Sequence, residues 1–119
     1  MFDPEHNRAM RLHALDAWVR DRAVLTDVER VREILRTAAE AGGATVLGET
    51  FCVFPNGAVT GVLVLAQSHL SIHTWPEFSL ANVDLLSYGA LRGEDVLAAI
   101  CNALDVERTT ITCVPRAIG

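Results

Sequence analysis

No apolar run in this 119-residue sequence approaches the roughly 20 residues needed to cross a bilayer. Its opening, "MFDPEHNRAM", has acids and a proline where a secretion signal needs a cationic start and an apolar stretch. Basic charge is scarce: ten Lys and Arg stand against fifteen Asp and Glu, a formal charge of -5. That balance leaves no footprint for nucleic acid or an anionic membrane surface. Cysteine is limited to Cys52, Cys101 and Cys113, an odd number, widely spaced and without a CxxC. The expectation is reduced thiols in a cytoplasmic protein, buried as small apolar residues. Linkers, low-complexity tracts and internal repeats are also missing, so residues 1–119 read as a single domain. What is present is a core. With 50% hydrophobic and 21% charged residues the chain matches a globular composition, and its length suffices to bury an interior.

Residues 1–10 read as a polar lead-in, and "HALDAWV" at 13–19 as a short strand. "TDVE" at 26–29 is a capping box, with the Thr26 hydroxyl as cap and Glu29 reaching back. Val28, Val31, Ile34, Leu35, Ala38 and Ala39 then share one helical face until Gly42 and Gly43 end the run. Strands are expected at 44–53, 59–66 and 68–74. "FPNGA" at 54–58 is turn chemistry that makes the first two an antiparallel hairpin, and Pro76 stops the third. "NVDLLSY" at 82–88 alternates as a fourth strand, "GEDVLAAICNAL" at 93–104 is a second helix, and "TTITCV" at 109–114 is a closing strand. The order β-α-β-β-β-β-α-β predicts an α+β fold: a two-layer sandwich, mainly antiparallel sheet, with two helices on one face.

The stretch "AQSHLSIHTWPE" at 66–77 asks for an explanation, because two serines and two histidines follow directly on the apolar "GVLVLA". A metal site is a poor fit. On a strand the imidazoles of His69 and His73 stand about 13 Å apart, and no acid or cysteine cluster with zinc spacing supports them. A hydrolase triad fits no better, since Ser68 lacks the G-x-S-x-G elbow and an odd spacing turns Ser68 and His73 to opposite faces of a regular strand. The plain alternative is the solvated face of an antiparallel sheet, with His69, Ser71, His73 and Trp75 outward.

"SHLSIHTWPE" followed by "ANVDLLSYG" resembles the processing-site region of the prokaryotic S-adenosylmethionine decarboxylase proenzymes. The likeness runs upstream through "GAVTGVLVLA" and "AAEAGGATVLGETF" and covers roughly residues 26–90. It implies a pyruvoyl-dependent enzyme of polyamine (spermidine) biosynthesis. Its chain self-cleaves between Gln67 and Ser68, giving fragments 1–67 and 68–119, and Ser68 becomes a pyruvoyl group that forms a Schiff base with the substrate amine. No metal and no pyridoxal phosphate are required. By the same resemblance His73 and Thr60 serve processing, the imidazole being suited to base work near neutral pH. Phe54, Trp75 and Glu77 line or approach the substrate pocket, although the aromatics also suit a core and the acid a surface. The resemblance further implies a homo-oligomer, a dimer or larger, with composite pockets and a small-molecule substrate.

Two positions depart from the family pattern. Gln67 stands where the family has glutamate, which leaves the backbone carbonyl needed for the acyl shift. Tyr88 stands where the family places its proton-donating cysteine, and a phenol ionises near 10 against about 8.5 for a thiol. Three readings follow: S-adenosylmethionine decarboxylation with altered kinetics, a shift to a basic amino acid such as arginine or ornithine, or an uncleaved, non-catalytic homologue.

Overall fold

The computed structural model describes residues 10–117, so the segment before Met10 lies outside the described residues. Six strands and two helices appear in the expected order: β1 (Met10–Val19), α1 (Val28–Ala41), β2 (Val46–Val53), β3 (Val59–Leu65), β4 (His69–Trp75), β5 (Leu80–Ser87), α2 (Gly93–Leu104) and β6 (Val106–Arg116). The strands form one antiparallel sheet in the order β2-β3-β4-β5-β1-β6. Both helices lie on one face, which makes the two-layer α+β sandwich.

Period-two alternation decides that face. Leu15 and Ala17 of β1, Leu63 of β3, Leu70 and Ile72 of β4, and Val83 and Leu85 of β5 point under the helices and are essentially sealed from solvent. They meet Val31, Ile34 and Leu35 of α1 and Val96, Leu97 and Ile100 of α2. Each such side chain contributes roughly 1.5–3 kcal/mol on burial, so the layer contact is what holds the sheet flat against its helices. The "FPNGA" turn closes the β2–β3 hairpin as expected, with Gly57 at φ 87° and its amide donating to the Phe54 carbonyl.

Several expectations need correction. The cap of α1 is Asp27, whose carboxylate accepts from the Arg30 amide; Thr26 instead closes a short 3-10 turn, Arg22–Thr26, and donates to the Ala23 carbonyl. That turn brings the chain in one residue later than a Thr26 cap requires, and Glu29 pairs with Arg32 rather than reaching back. β1 begins at Met10 and β6 spans Val106–Arg116, both longer than their apolar cores because each pairs along the other. Ser68 and Tyr88 lie just outside β4 and β5. Cys52 and Cys113 are exposed on the sheet's edge strands and Cys101 is only half-buried, so the buried-thiol expectation fails for all three. No helix among the described residues is long and apolar enough to cross a membrane.

Candidate active site

The helix-free face of the sheet collects the polar residues. The ladders place Cys52, Thr60, His73, Asn82, Asp16 and Thr110 in one row, one residue per strand. Thr60 Oγ1 and His73 Nδ1 are 2.6 Å apart and half-buried, close enough to share the hydroxyl proton. Phe54 approaches the His73 ring edge-on with centroids at 5.8 Å, and Trp75 does so at 4.3 Å. The indole Nε1 donates to Asn82 Oδ1 (2.6 Å), and Asn82 Nδ2 donates to Asp16 Oδ1 (2.7 Å), which fixes the Trp75 ring. Phe54 and Trp75 are exposed, so neither is core. Glu77 sits exposed on a 3-10 turn, Pro76–Phe78, and lines a separate depression with Asp21, Arg22 and Thr26.

Ser68 lies at the other end of β4. The Leu65 amide donates to the Ser68 carbonyl (2.9 Å) and the Ser68 amide to the Leu65 carbonyl (3.2 Å). The chain therefore reverses through Ala66 and Gln67 alone, and the Gln67–Ser68 bond leaves a hairpin turn rather than lying within a strand. The Leu65–Ser68 exchange continues the β3–β4 register by one pair, so the odd spacing still sets Ser68 and His73 on opposite faces, and distance separates them as well. Five residues at about 3.3 Å each put Ser68 and His73 about 16 Å apart in one chain. The histidine beside Ser68 is His69, whose Nδ1 is 3.5 Å from the Ser68 hydroxyl. One polar atom here has no partner: Gln67 Oε1 is buried and unsatisfied.

Across the sheet, the last β4–β5 pair is His69 with Leu86, so Ser87 and Tyr88 emerge at the same end as Ser68. Beneath them, on the helix side, His13 Nε2 lies 2.8 Å from Ser87 Oγ, and both residues are only 5% exposed. Burial holds the His13 pKa below its usual value; Glu94 pulls it up and Arg11 pushes it further down. The pair borders a cavity of about 310 Å³ with Arg11, Arg92 and Glu94 on its walls. Sequence reasoning passed over Asp16, Asn82, His13 and Ser87. Alternation along β5 marks Asn82 as outward-facing, but nothing local announces that His13 faces a serine 74 residues away.

Fold and site together define an α+β sandwich protein with its polar chemistry on the uncovered sheet face and a serine in the turn at that sheet's end. The chain belongs to the S-adenosylmethionine decarboxylase family, whose sequence model matches residues 11–117. It is 39% identical over 99 residues to the S-adenosylmethionine decarboxylase proenzyme of Caldanaerobacter subterraneus, covering 82% of this chain and 80% of that one. It is 51% identical over 65 residues to the proenzyme of Symbiobacterium thermophilum, where the match spans 55% of this chain and 49% of the relative. The chain thus spans about half the length of some of the curated relatives it matches. Among solved structures, the adenosylmethionine decarboxylase of Aquifex aeolicus superposes with a TM-score of 0.85 at 30% identity, over 92% of each chain.

Proposed function

We propose that this chain is a self-processing, pyruvoyl-dependent decarboxylase acting on S-adenosylmethionine, and that its sites form between two copies. The observation that carries the reading is the position of Ser68. It leaves a two-residue turn at one end of β4, while the hydrogen-bonded Thr60–His73 pair stands at the other end of that strand.

In the processing step, Ser68 Oγ attacks the Gln67 carbonyl carbon, the C–N bond breaks and an ester forms. Loss of the Ser68 α-proton then breaks the ester C–O bond and frees the Gln67 carboxylate. Water replaces the nitrogen on the new chain end and ammonia leaves. Two features of the precursor fit this change. The buried Gln67 Oε1 lacks a donor, which costs roughly 1–3 kcal/mol, and cleavage releases Gln67 as a free chain end. The chain also contains no lysine, all ten basic residues being arginine, so it has no side chain to tether pyridoxal phosphate. The pyruvoyl group supplies an electron sink for decarboxylation. The protein's part is to bind, orient and move protons: Phe54 and Trp75 offer exposed ring faces to an adenine and a sulfonium cation, and Tyr88 is the acid for the substrate carbon.

The gap of about 16 Å supports a two-copy arrangement. Two sheets packed through their uncovered faces about a two-fold axis would bring each Ser68 toward the partner subunit's His73 and Thr60. Leu12, Val62, Val64, Leu80 and Leu86 share that face with the polar row and are covered by the packing.

Labelled CO₂ release from S-adenosylmethionine, arginine and ornithine tests the assignment. The expected result is turnover of S-adenosylmethionine, with Tyr88→Phe still cleaved but slower by about 10²-fold, as for loss of a general acid. Turnover of arginine or ornithine alone would transfer the activity to that substrate. Unchanged rates in Tyr88→Phe would remove Tyr88 from the site and leave Cys52, in the Thr60–His73 row, as the next donor to test.

A further inference from the structure

The segment that carries Tyr88 is short and held at both ends by one residue. It leaves β5 after Ser87, turns at Gly89 with φ 66°, and enters α2 at Gly93. The ring of His13 touches both ends. Its Nε2 is 2.8 Å from Ser87 Oγ, and a Cβ added at Gly93 would sit 2.5 Å from the same nitrogen and 2.9 Å from Cε1. Glycine at 93 is therefore what allows α2 to start directly against the imidazole. The Ser87 hydroxyl also reaches the Arg11 carbonyl at 3.4 Å; with its proton there, its lone pair faces the Nε2–H of His13.

We infer that His13 is a positioning residue for decarboxylation: bound to Ser87 and packed on Gly93, it clamps the 88–92 loop and so sets where Tyr88 stands relative to the chain end at Ser68. This rests on the reading of Tyr88 as the acid of the decarboxylation site. An apolar residue would pack on Leu97, Ala98 and Ile111 in the pocket between β1 and α2, which Glu94, Cys101 and Cys113 also line, yet leave Ser87 only its long contact to the Arg11 carbonyl. Burial holds the His13 pKa below its usual value against the pull of Glu94, which favours the neutral ring that pairs with Ser87. Misplacing an acid by about 1 Å is enough to lose rate without losing binding.

The test compares the full-length wild type with His13→Leu, Ser87→Ala and His13→Gln. Readouts are cleavage at Gln67–Ser68, kcat and KM for CO₂ release, thermal midpoint, and the N-terminal group on fragment 68–119 after turnover. A proton delivered to the protein-side carbon instead of the substrate carbon leaves the substrate nitrogen on the protein, so the fragment then begins with alanine and the substrate departs as an aldehyde. The expected result is that His13→Leu and Ser87→Ala cleave fully, lose kcat on the order of 10-fold with KM nearly unchanged, and accumulate alanine-ended fragment faster per turnover. His13→Gln, which keeps a donor and an acceptor, should recover most of the loss. Wild-type kcat and wild-type alanine yield in a cleaved His13→Leu overturn the inference. So does a loss of cleavage, rate and melting temperature together in all three variants, which marks His13 as core packing only. An uncut or inactive wild type is a separate result that overturns the proposed function.

Discussion

His69 and His73 stand on one face of β4, four residues apart, and differ in what they touch. His73 shares a proton with Thr60 and is flanked by two aromatic rings, whereas His69 faces the Ser68 hydroxyl at a long 3.5 Å. If processing uses a base from a second copy, His73→Ala should slow cleavage about 10²-fold or more. His69→Ala should leave cleavage near wild type and change stability by no more than about 0.5 kcal/mol, as for a surface position. Following the appearance of the two fragments on a denaturing gel separates the cases. The reverse pattern, with His69 essential and His73 dispensable, would place the base within the same chain.

At the scale of elements, β4 is held by a polar residue that looks out of place in its sequence. Thr74 is fully buried; its hydroxyl donates to the Leu25 carbonyl (2.8 Å) and accepts from the Val59 amide (2.8 Å), tying the sheet to the turn before α1. Thr74→Val keeps the shape and strands both backbone groups, so it should cost roughly 1–3 kcal/mol in chemical denaturation without moving the cleavage point. An unchanged midpoint would remove the hydroxyl from the account. The same strand shows how far local pattern carries. Alternation around Leu70 and Ile72 was enough to put His73 and Trp75 on the uncovered face, and turn chemistry at residues 54–58 was enough to pair β2 with β3. Strand ends are not legible, because they depend on partners: Ser68 is expected inside β4, but the strand begins at His69, where the two-residue turn closed by the Leu65–Ser68 bonds has ended. The α1 cap was misplaced for a similar reason, since Asp21 starts a 3-10 turn through its bond to the Ala23 amide and shifts the entry to Asp27. Contacts such as His13 with Ser87 join residues at sequence separations that no local pattern encodes.

At the scale of the whole molecule, the proposed processing site has one part at each end of β4, and on that reading a two-fold partner would complete both. Co-expressed Ser68→Ala and His73→Ala chains should therefore complement one another. In the mixed dimer, the chain carrying His73→Ala keeps its own Ser68 and meets the partner subunit's intact His73. All of this depends on the bond between Gln67 and Ser68 being cut, and the intact mass of the purified protein reads that directly. The account predicts two species from the wild type, a fragment 1–67 ending in a free carboxylate and a fragment 68–119 beginning with a pyruvoyl group, and cleavage of the His73→Ala chain only when it is mixed with Ser68→Ala. A wild type that persists as a single 12.9 kDa chain would contradict it.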